Sequence, residues 1–354
     1  MRGVLFIKYG STDEALQYKE DIPSPKIKNP HQVLIEIKAT GINPVELKAT
    51  TGSMKLMTSM VVSFPGILGA DFAGVIVEKG QQVTDFEVGD EVFGCLPIPL
   101  GPNGTYAEYT VADVRHSAIA KKPGDLSFVQ AASAGIAVLT AYDGIVKFGN
   151  ITDQNKSEKR RVLVIGASGG VGSYGVQLAK AVNPDNYVVG ICSSRNADFV
   201  KSLGADSVID YSNAEEYSSF LQDRNEPFDI IFDCVGGDDY YHKLAPLLKR
   251  HGVYSTAVGP IKHIGSENIS IPNLFSTAGK LTYRKLFAPH TYGVIFSLPH
   301  SKFKTHIAPL FESKALKGMV VDDSNVFSLR DVHKAHEKLA THRVRGKIVL
   351  DIEQ

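Results

Sequence analysis

The stretch RVLVIGASGGVGSYGVQLAKAV, residues 161 to 182, limits the possible folds of this chain more than any other. An apolar run meets Gly166, Gly169, Gly170 and Gly172 and passes directly into a segment with amphipathic helical spacing. A strand that turns this tightly into a helix opens a βαβ unit. Glycines at the turn let backbone amides approach a pyrophosphate, and the helix start adds the positive end of its dipole. The spacing is Gly-x-x-Gly-x-x-Gly and not G-x-G-x-x-G, so the flanking strand and helix carry the reading. The bland alternative is a tight turn that holds no ligand. Further apolar strands follow as YVVGIC, SVIDY, FDIIFDCVG, GVYSTAV and KLTYRKLF, alternating with helices. With RVLVIG they make six, which predicts a doubly wound parallel sheet in the order 3-2-1-4-5-6.

The second strand ends in CSSRN, where recognition of the ribose of NAD would need Asp or Glu. Ser193, Ser194 and Arg195 offer two hydroxyls and a guanidinium, donors suited to a 2′-phosphate, and Tyr211 follows the third strand. The cofactor expected is therefore NADPH, unless Arg195 is an ordinary solvated loop residue. Its candidate contacts are Gly166, Ala167, Ser168, Gly169, Gly170, Val171 and Gly172 in the first loop, then Ser193, Ser194, Arg195 and Tyr211. Cys234 and Val235 after the fourth strand, with Val258 and Gly259 after the fifth, complete the set, because such sheets bind ligands beyond the carboxyl ends of their strands.

The first 125 residues read differently. HQVLIEIKAT alternates Val33, Ile35 and Ile37 with polar partners, the period of a half-buried strand. FAGVIVEKG, GDEVFGC and GTYAEYTVA are further strands bounded by glycine, so this part is a mostly antiparallel β domain. LSFVQAASAGIAVLTAYDGIVKFG reads as helix with a break near Gly135. After residue 290, SLRDVHKAHEKLATHR is a helix and GKIVLDI a closing strand that returns to the first domain. The expected division is 1–125 with 290–354, and 126–289. A chain of 354 residues accommodates both. Its 38 basic and 38 acidic residues leave no field to attract nucleic acid or an anionic membrane. No apolar run approaches the ~20 residues of a membrane span. The N-terminus lacks a secretory pattern, and Asp13 and Glu14 argue against a transit peptide. Three scattered cysteines do not make a disulfide framework, so a cytoplasmic protein is expected.

With these segments, GINPVELK, FPGILGADFAGVIVEKG, FEVGDEVFG, SLGADSVIDYS and RGKIVLDI in view, the chain resembles the medium-chain dehydrogenase/reductase superfamily. It is most similar to the zinc-free quinone oxidoreductase branch, including alkenal/enone oxidoreductases and reticulon-4-interacting-protein-like reductases. The resemblance implies a GroES-like β domain built from both chain ends, a central Rossmann domain and an active cleft between them, with a homodimer as the family-level expectation. Zinc-dependent members place a cysteine where this chain has Asn43, a His-Glu pair at Ala70 and Asp71, and a second cysteine near Ile136. A catalytic zinc needs about three such ligands, and none is kept. His333 and His336 lie at i, i+3 on one helix but lack a third partner, and read as ordinary helix histidines.

Without a Lewis acid, hydride transfer favours acceptors that spread the incoming charge, namely quinones and α,β-unsaturated carbonyls such as enones and 2-alkenals. The protein then positions the partners and offers hydrogen bonds to the developing enolate. Asn43 can donate such a bond, hold the nicotinamide ribose, or simply form the turn before Pro44. By resemblance, Thr140 stands near the nicotinamide, Lys48 reaches a cofactor phosphate or hydroxyl and Lys347 lies near the cofactor; the alternatives are a solvated helix lysine at 48 and an exposed basic residue at 347. Neither Tyr142 nor Tyr292 can be ranked as a proton donor, and water is the alternative. The competing class is an NADPH-binding sensor or interaction protein with little turnover.

Overall fold

The computed structural model describes residues 1–53, 55, 62–97, 100, 103–260, 271–299 and 301–354. In chain order its strands are β1 (Gly3–Phe6), β2 (Leu16–Lys19), β3 (Gln32–Gly41), β4 (Asp71–Lys79), β5 (Glu91–Cys95), β6 (Tyr109–Asp113), β7 (Ala118–Lys121), β8 (Arg161–Ile165), β9 (Tyr187–Cys192), β10 (Ser207–Asp210), β11 (Phe228–Asp233), β12 (Leu248–Thr256), β13 (Thr291–Val294), β14 (Val326–Ser328) and β15 (Val349–Asp351).

One unit comprises Met1–Leu139 and Leu298–Gln354. Its seven-stranded sheet runs β14-β15-β3-β4-β5-β7, with β6 also on β3, and β1 pairs with β2 alongside it. Along β3, Val33, Ile35 and Ile37 are buried while Leu34, Glu36 and Lys38 are partly exposed, as the two-residue period requires. β4 and β15 both run antiparallel to β3, and Val349 lies opposite Gly41. The end of β3 and the starts of β4 and β15 therefore lie together. That shared edge brings residues 43, 71 and 347 within reach of one another.

The other unit is Thr140–Ser297. Its six strands are ordered β10-β9-β8-β11-β12-β13, which is 3-2-1-4-5-6, and all pairings are parallel. The mixed α/β fold is thus a GroES-like β unit with a Rossmann-type sheet. Because the strands are parallel, the loops after β8, β9, β10, β11 and β12 share one edge, and the winding reverses between β8 and β11.

Two expectations change. KLTYRKLF is not the sixth strand: it lies in the helix Ile271–Phe287, and the sixth strand is β13. The hydrophobic pattern of this helix is inverted. Phe275, Tyr283, Leu286 and Phe287 face outward, each at least 66% exposed, while Arg284 is buried. The Arg284 guanidinium lies 3.8 Å over the Tyr241 ring and pairs with Asp238 at 2.5 Å. The compact units divide at 140 and 298, where the sequence predicts 126 and 290, and β13 lies in the parallel sheet. The expected break near Gly135 is present, between the helices Phe128–Ala132 and Gly135–Tyr142.

Candidate active site

In the Rossmann unit, the loop after β8 begins at Gly166, held in a left-handed conformation at φ +73°. A Cβ on Gly172 would lie 2.2 Å from the Gly166 carbonyl oxygen, so the helix Gly170–Val182 sits directly on the loop. A Cβ on Gly169 would meet only that oxygen, at 3.4 Å, so its outer side is open. The helix N-cap is Gly169, which has no side chain to cap it. The first-turn amides of Gly170, Val171 and Gly172 are left without intrahelical acceptors. Ala167 is buried and donates its N–H to Ile191 (3.1 Å), while Ser168 is half-buried beside the open side. An open glycine face beside free helix amides fits a pyrophosphate.

Beyond β9, Ser193 is half-buried and Ser194 and Arg195 are exposed. Among the described residues Arg195 has no ion-pair partner. Tyr211 follows β10 and is 51% exposed. Cys234 and Val235 lie in a loop fixed by Asp233, whose Oδ1 accepts from the N–H groups of Val235 (2.9 Å) and Gly236 (2.8 Å). Its Oδ2 accepts from the Tyr254 hydroxyl at 3.0 Å. Burial pushes the Asp233 carboxyl above its usual range, against these bonds. Thr256 does the same for the next loop, its Oγ1 accepting from Val258 (3.2 Å) and Gly259 (3.0 Å). Gly237 then donates to the Gly259 carbonyl at 2.9 Å and joins the two loops. Thr256 carries one signal in the sequence, its place two and three residues before the amides it binds. Thr140 is buried in the helix Gly135–Tyr142. The Tyr292 hydroxyl accepts from Arg284 at 3.2 Å, and burial pushes it up to about 12, which does not suit a general acid near neutrality.

In the GroES-like unit, Asn43 is the N-cap of the helix Pro44–Thr51, with Pro44 in its first turn. Asn43, Glu46, Asp71 and Lys347 are all buried and form one network. The Lys347 ammonium donates to the Ile42 carbonyl (2.8 Å), Asn43 Oδ1 (2.6 Å) and Asp71 Oδ2 (3.2 Å). Asn43 Nδ2 donates to Asp71 Oδ2 (3.0 Å) and Glu46 Oε1 (3.3 Å), and its backbone N–H donates to Glu46 Oε2 (2.9 Å). Asp71 Oδ1 accepts from the Ile136 N–H at 2.8 Å, at the start of the helix Gly135–Tyr142. A Cβ on Gly135 would lie 2.0 Å from that oxygen, so only glycine admits the carboxylate there. Burial first, then repulsion from Asp71, pushes the Glu46 carboxyl up to about 8.

This network engages two of the expected site residues. Both amide protons of Asn43 are donated inside the unit, so its side chain is a link between Glu46 and Asp71. The three donors of Lys347 are likewise given to protein oxygens. Lys48 is different. It is half-buried in the last turn of its helix, has no ion-pair partner among the described residues, and burial brings its ammonium down to about 8.

The positions 43, 71 and 136 do converge, but they carry an amide, a carboxylate and a backbone N–H. With the Lys347 ammonium already between Asn43 Oδ1 and Asp71 Oδ2, this set does not fit zinc. Among the described residues no group of three or more His, Cys, Asp or Glu side chains is arranged around a metal position. His336 is buried with Nε2 3.1 Å from the Tyr106 hydroxyl, and burial lowers it to about 3.

Residues 29–124 match the alcohol dehydrogenase GroES-like domain and residues 203–350 the zinc-binding dehydrogenase family. The chain is 32% identical to the bovine (Bos taurus) NAD(P)H oxidoreductase RTN4IP1, mitochondrial, over 98% of its own length and 87% of that protein. It is 32% identical to the 2-methylene-furan-3-one reductase of Solanum lycopersicum, over 99% and 79%. The quinone oxidoreductase structure from Coxiella burnetii superposes with a TM-score of 0.77 at 28% identity, covering 99% of both chains. The chain belongs to the quinone-oxidoreductase-like branch of the medium-chain dehydrogenase/reductase superfamily.

Proposed function

We propose that this protein is an NADPH-dependent reductase that acts on quinones or α,β-unsaturated carbonyls without zinc. The observation that carries the reading is the loop after β9, where Ser193, Ser194 and Arg195, without an ion-pair partner among the described residues, stand in place of a ribose-binding carboxylate. When bound, NADPH supplies the hydride. The first-turn amides of the helix Gly170–Val182 and Ser168 hold the pyrophosphate, and Ser193, Ser194, Arg195 and Tyr211 the adenosine end. Cys234, Val235, Val258 and Gly259 line the far side, kept in register by Asp233 and Thr256. Thr140 and Lys48 serve the reacting end, Lys48 by meeting an anionic or carbonyl oxygen that it lacks in the free protein. Asn43 and Lys347 act from within their network. The Lys347 ammonium already balances the buried Asp71 carboxylate, which supports zinc-free chemistry and hence acceptors that spread charge themselves.

The relatives support this substrate class by their names, one a quinone oxidoreductase and one a reductase of a 2-methylene-furan-3-one. A homodimer through β13, one of the two edge strands of the six-stranded sheet, and a cytoplasmic location complete the reading. No helix of the described residues is long and apolar enough to cross a membrane. Light scattering tests the dimer. Cell fractionation tests the location, and recovery in mitochondria, which the bovine relative's name gives for that protein, would replace it.

The deciding experiment follows NADPH and NADH oxidation against a panel of quinones, enones and 2-alkenals. Turnover of at least one class with NADPH preferred is expected. Tight NADPH binding without turnover on any acceptor would favour a cofactor-dependent sensor instead.

A further inference from the structure

Asn196 is a polar residue in the cofactor loops to which nothing above gives a role. It ends the short turn Ser194–Asn196 and occupies the N-cap position of the helix Ala197–Ser202. An asparagine at that position ordinarily turns its side-chain oxygen onto the first helical amides. Here it makes no such bond. Its Nδ2 instead donates to Ser168 Oγ at 3.1 Å, in the glycine loop, and to Ser193 Oγ at a longer 3.4 Å, in the loop after β9. One amide group thus joins loops 28 residues apart in sequence. The backbone N–H of Asn196 also donates to the Ser193 carbonyl at 2.9 Å, which fixes its distance from that serine.

A serine hydroxyl has one proton and two lone pairs. When its oxygen accepts from Asn196 Nδ2, a nitrogen that donates and cannot accept, the hydroxyl proton is left to donate elsewhere. We infer that Asn196 is a positioning residue that presents Ser168 and Ser193 as hydrogen-bond donors, one toward the pyrophosphate common to both nicotinamide cofactors and one toward the 2′-phosphate found only on NADPH. The inference rests on the proposed cofactor reading and adds a residue through which selectivity passes. Ser168 affects both cofactors equally, whereas Ser193 affects NADPH alone.

The test is calorimetric binding of NADPH and NADH to the full chain, without substrate. Asn196→Leu keeps the volume and removes the donor. It should raise the Kd for NADPH about tenfold and that for NADH about threefold, the range expected for losing hydrogen bonds between neutral groups. In a Ser193→Ala background, Asn196→Leu should raise both by the same factor. Equal weakening of the two cofactors by Asn196→Leu in the otherwise unchanged protein would overturn the inference, as would no weakening of either. If the unsubstituted protein binds neither cofactor, the functional reading falls and this inference with it. Strong NADPH binding indifferent to Asn196→Leu removes this inference alone.

Discussion

The Lys347 ammonium lies 2.6 Å from the amide oxygen of Asn43 and 3.2 Å from the Asp71 carboxylate, with all three side chains buried. Lys347 thereby neutralises Asp71 and saturates Asn43. Replacing it with methionine leaves a buried carboxylate without a counter-charge and two buried oxygens without donors. Lys347→Met should cost about 3–5 kcal/mol in urea unfolding. A loss below about 1 kcal/mol would mean that water or a rearranged side chain takes over the charge.

Glu46 gives the same network a pH dependence. Its carboxyl is raised from 4.5 to about 8 by burial and by Asp71. Between those values the folded chain keeps a proton that the unfolded chain has lost, so stability falls as pH rises from about 4.5 to about 8 and levels off above. Glu46→Gln removes this titration. Relative to the variant, the unsubstituted protein should lose on the order of a few kcal/mol between pH 5 and pH 8.5. Unfolding free energies measured across that range decide it: a constant difference between the two proteins would show that Glu46 does not titrate there.

Two glycines in helices separate close approach from mere propensity. At Gly135 an added Cβ would lie 2.0 Å from Asp71 Oδ1 and 2.3 Å from its Cγ. Gly279, within the helix Ile271–Phe287, has nothing within 4 Å of such a Cβ. Gly135→Ala should therefore destabilise by about 2 kcal/mol or more despite the better helix former. Gly279→Ala should stabilise by about 0.5–1 kcal/mol. Thermal unfolding of both variants checks this, and equal shifts in one direction would contradict it.

These cases show which features a sequence makes legible. The strands β8, β9 and β11 are short apolar runs with turn residues after them, so their order and the glycine loop could be read directly. The helix Ile271–Phe287 could not, because its aromatic residues face outward and Arg284 faces inward, against the usual amphipathic rule. The break at Gly135 was visible, but its cause was not, since Asp71 is 65 residues from Ile136. Asp71 and Lys347 are 276 residues apart. Local patterning holds no record of such a pair, and the resemblance that put Lys347 near the cofactor gave no sign of its bonds to Asn43 and Asp71. Asn196 stood inside the quoted CSSRN without a role, and its side chain does not make the helix-cap bond that its position offers.

Lys48 carries the last prediction. Burial lowers its ammonium from 10.5 to about 8, and among the described residues it has no ion-pair partner. Below about pH 8 the folded chain must hold a desolvated charge that the unfolded chain holds in water, so Lys48 weighs against folding at neutral pH. Stability should recover as pH rises from about 8 to about 10.5, where the unfolded lysine keeps its proton and the folded one has released it. Lys48→Met should accordingly stabilise the free protein at pH 7, by about 1 kcal/mol after allowance for its partial exposure. If Lys48 meets an oxygen of the cofactor or substrate, the same substitution should weaken NADPH binding or raise KM by about tenfold. A residue that lowers stability and raises affinity is placed for its ligand. Thermal midpoint and binding measured on one preparation separate the possibilities. A variant that gains stability but binds and turns over normally would leave Lys48 outside the site, and one that loses stability would mean its ammonium is satisfied in the folded chain.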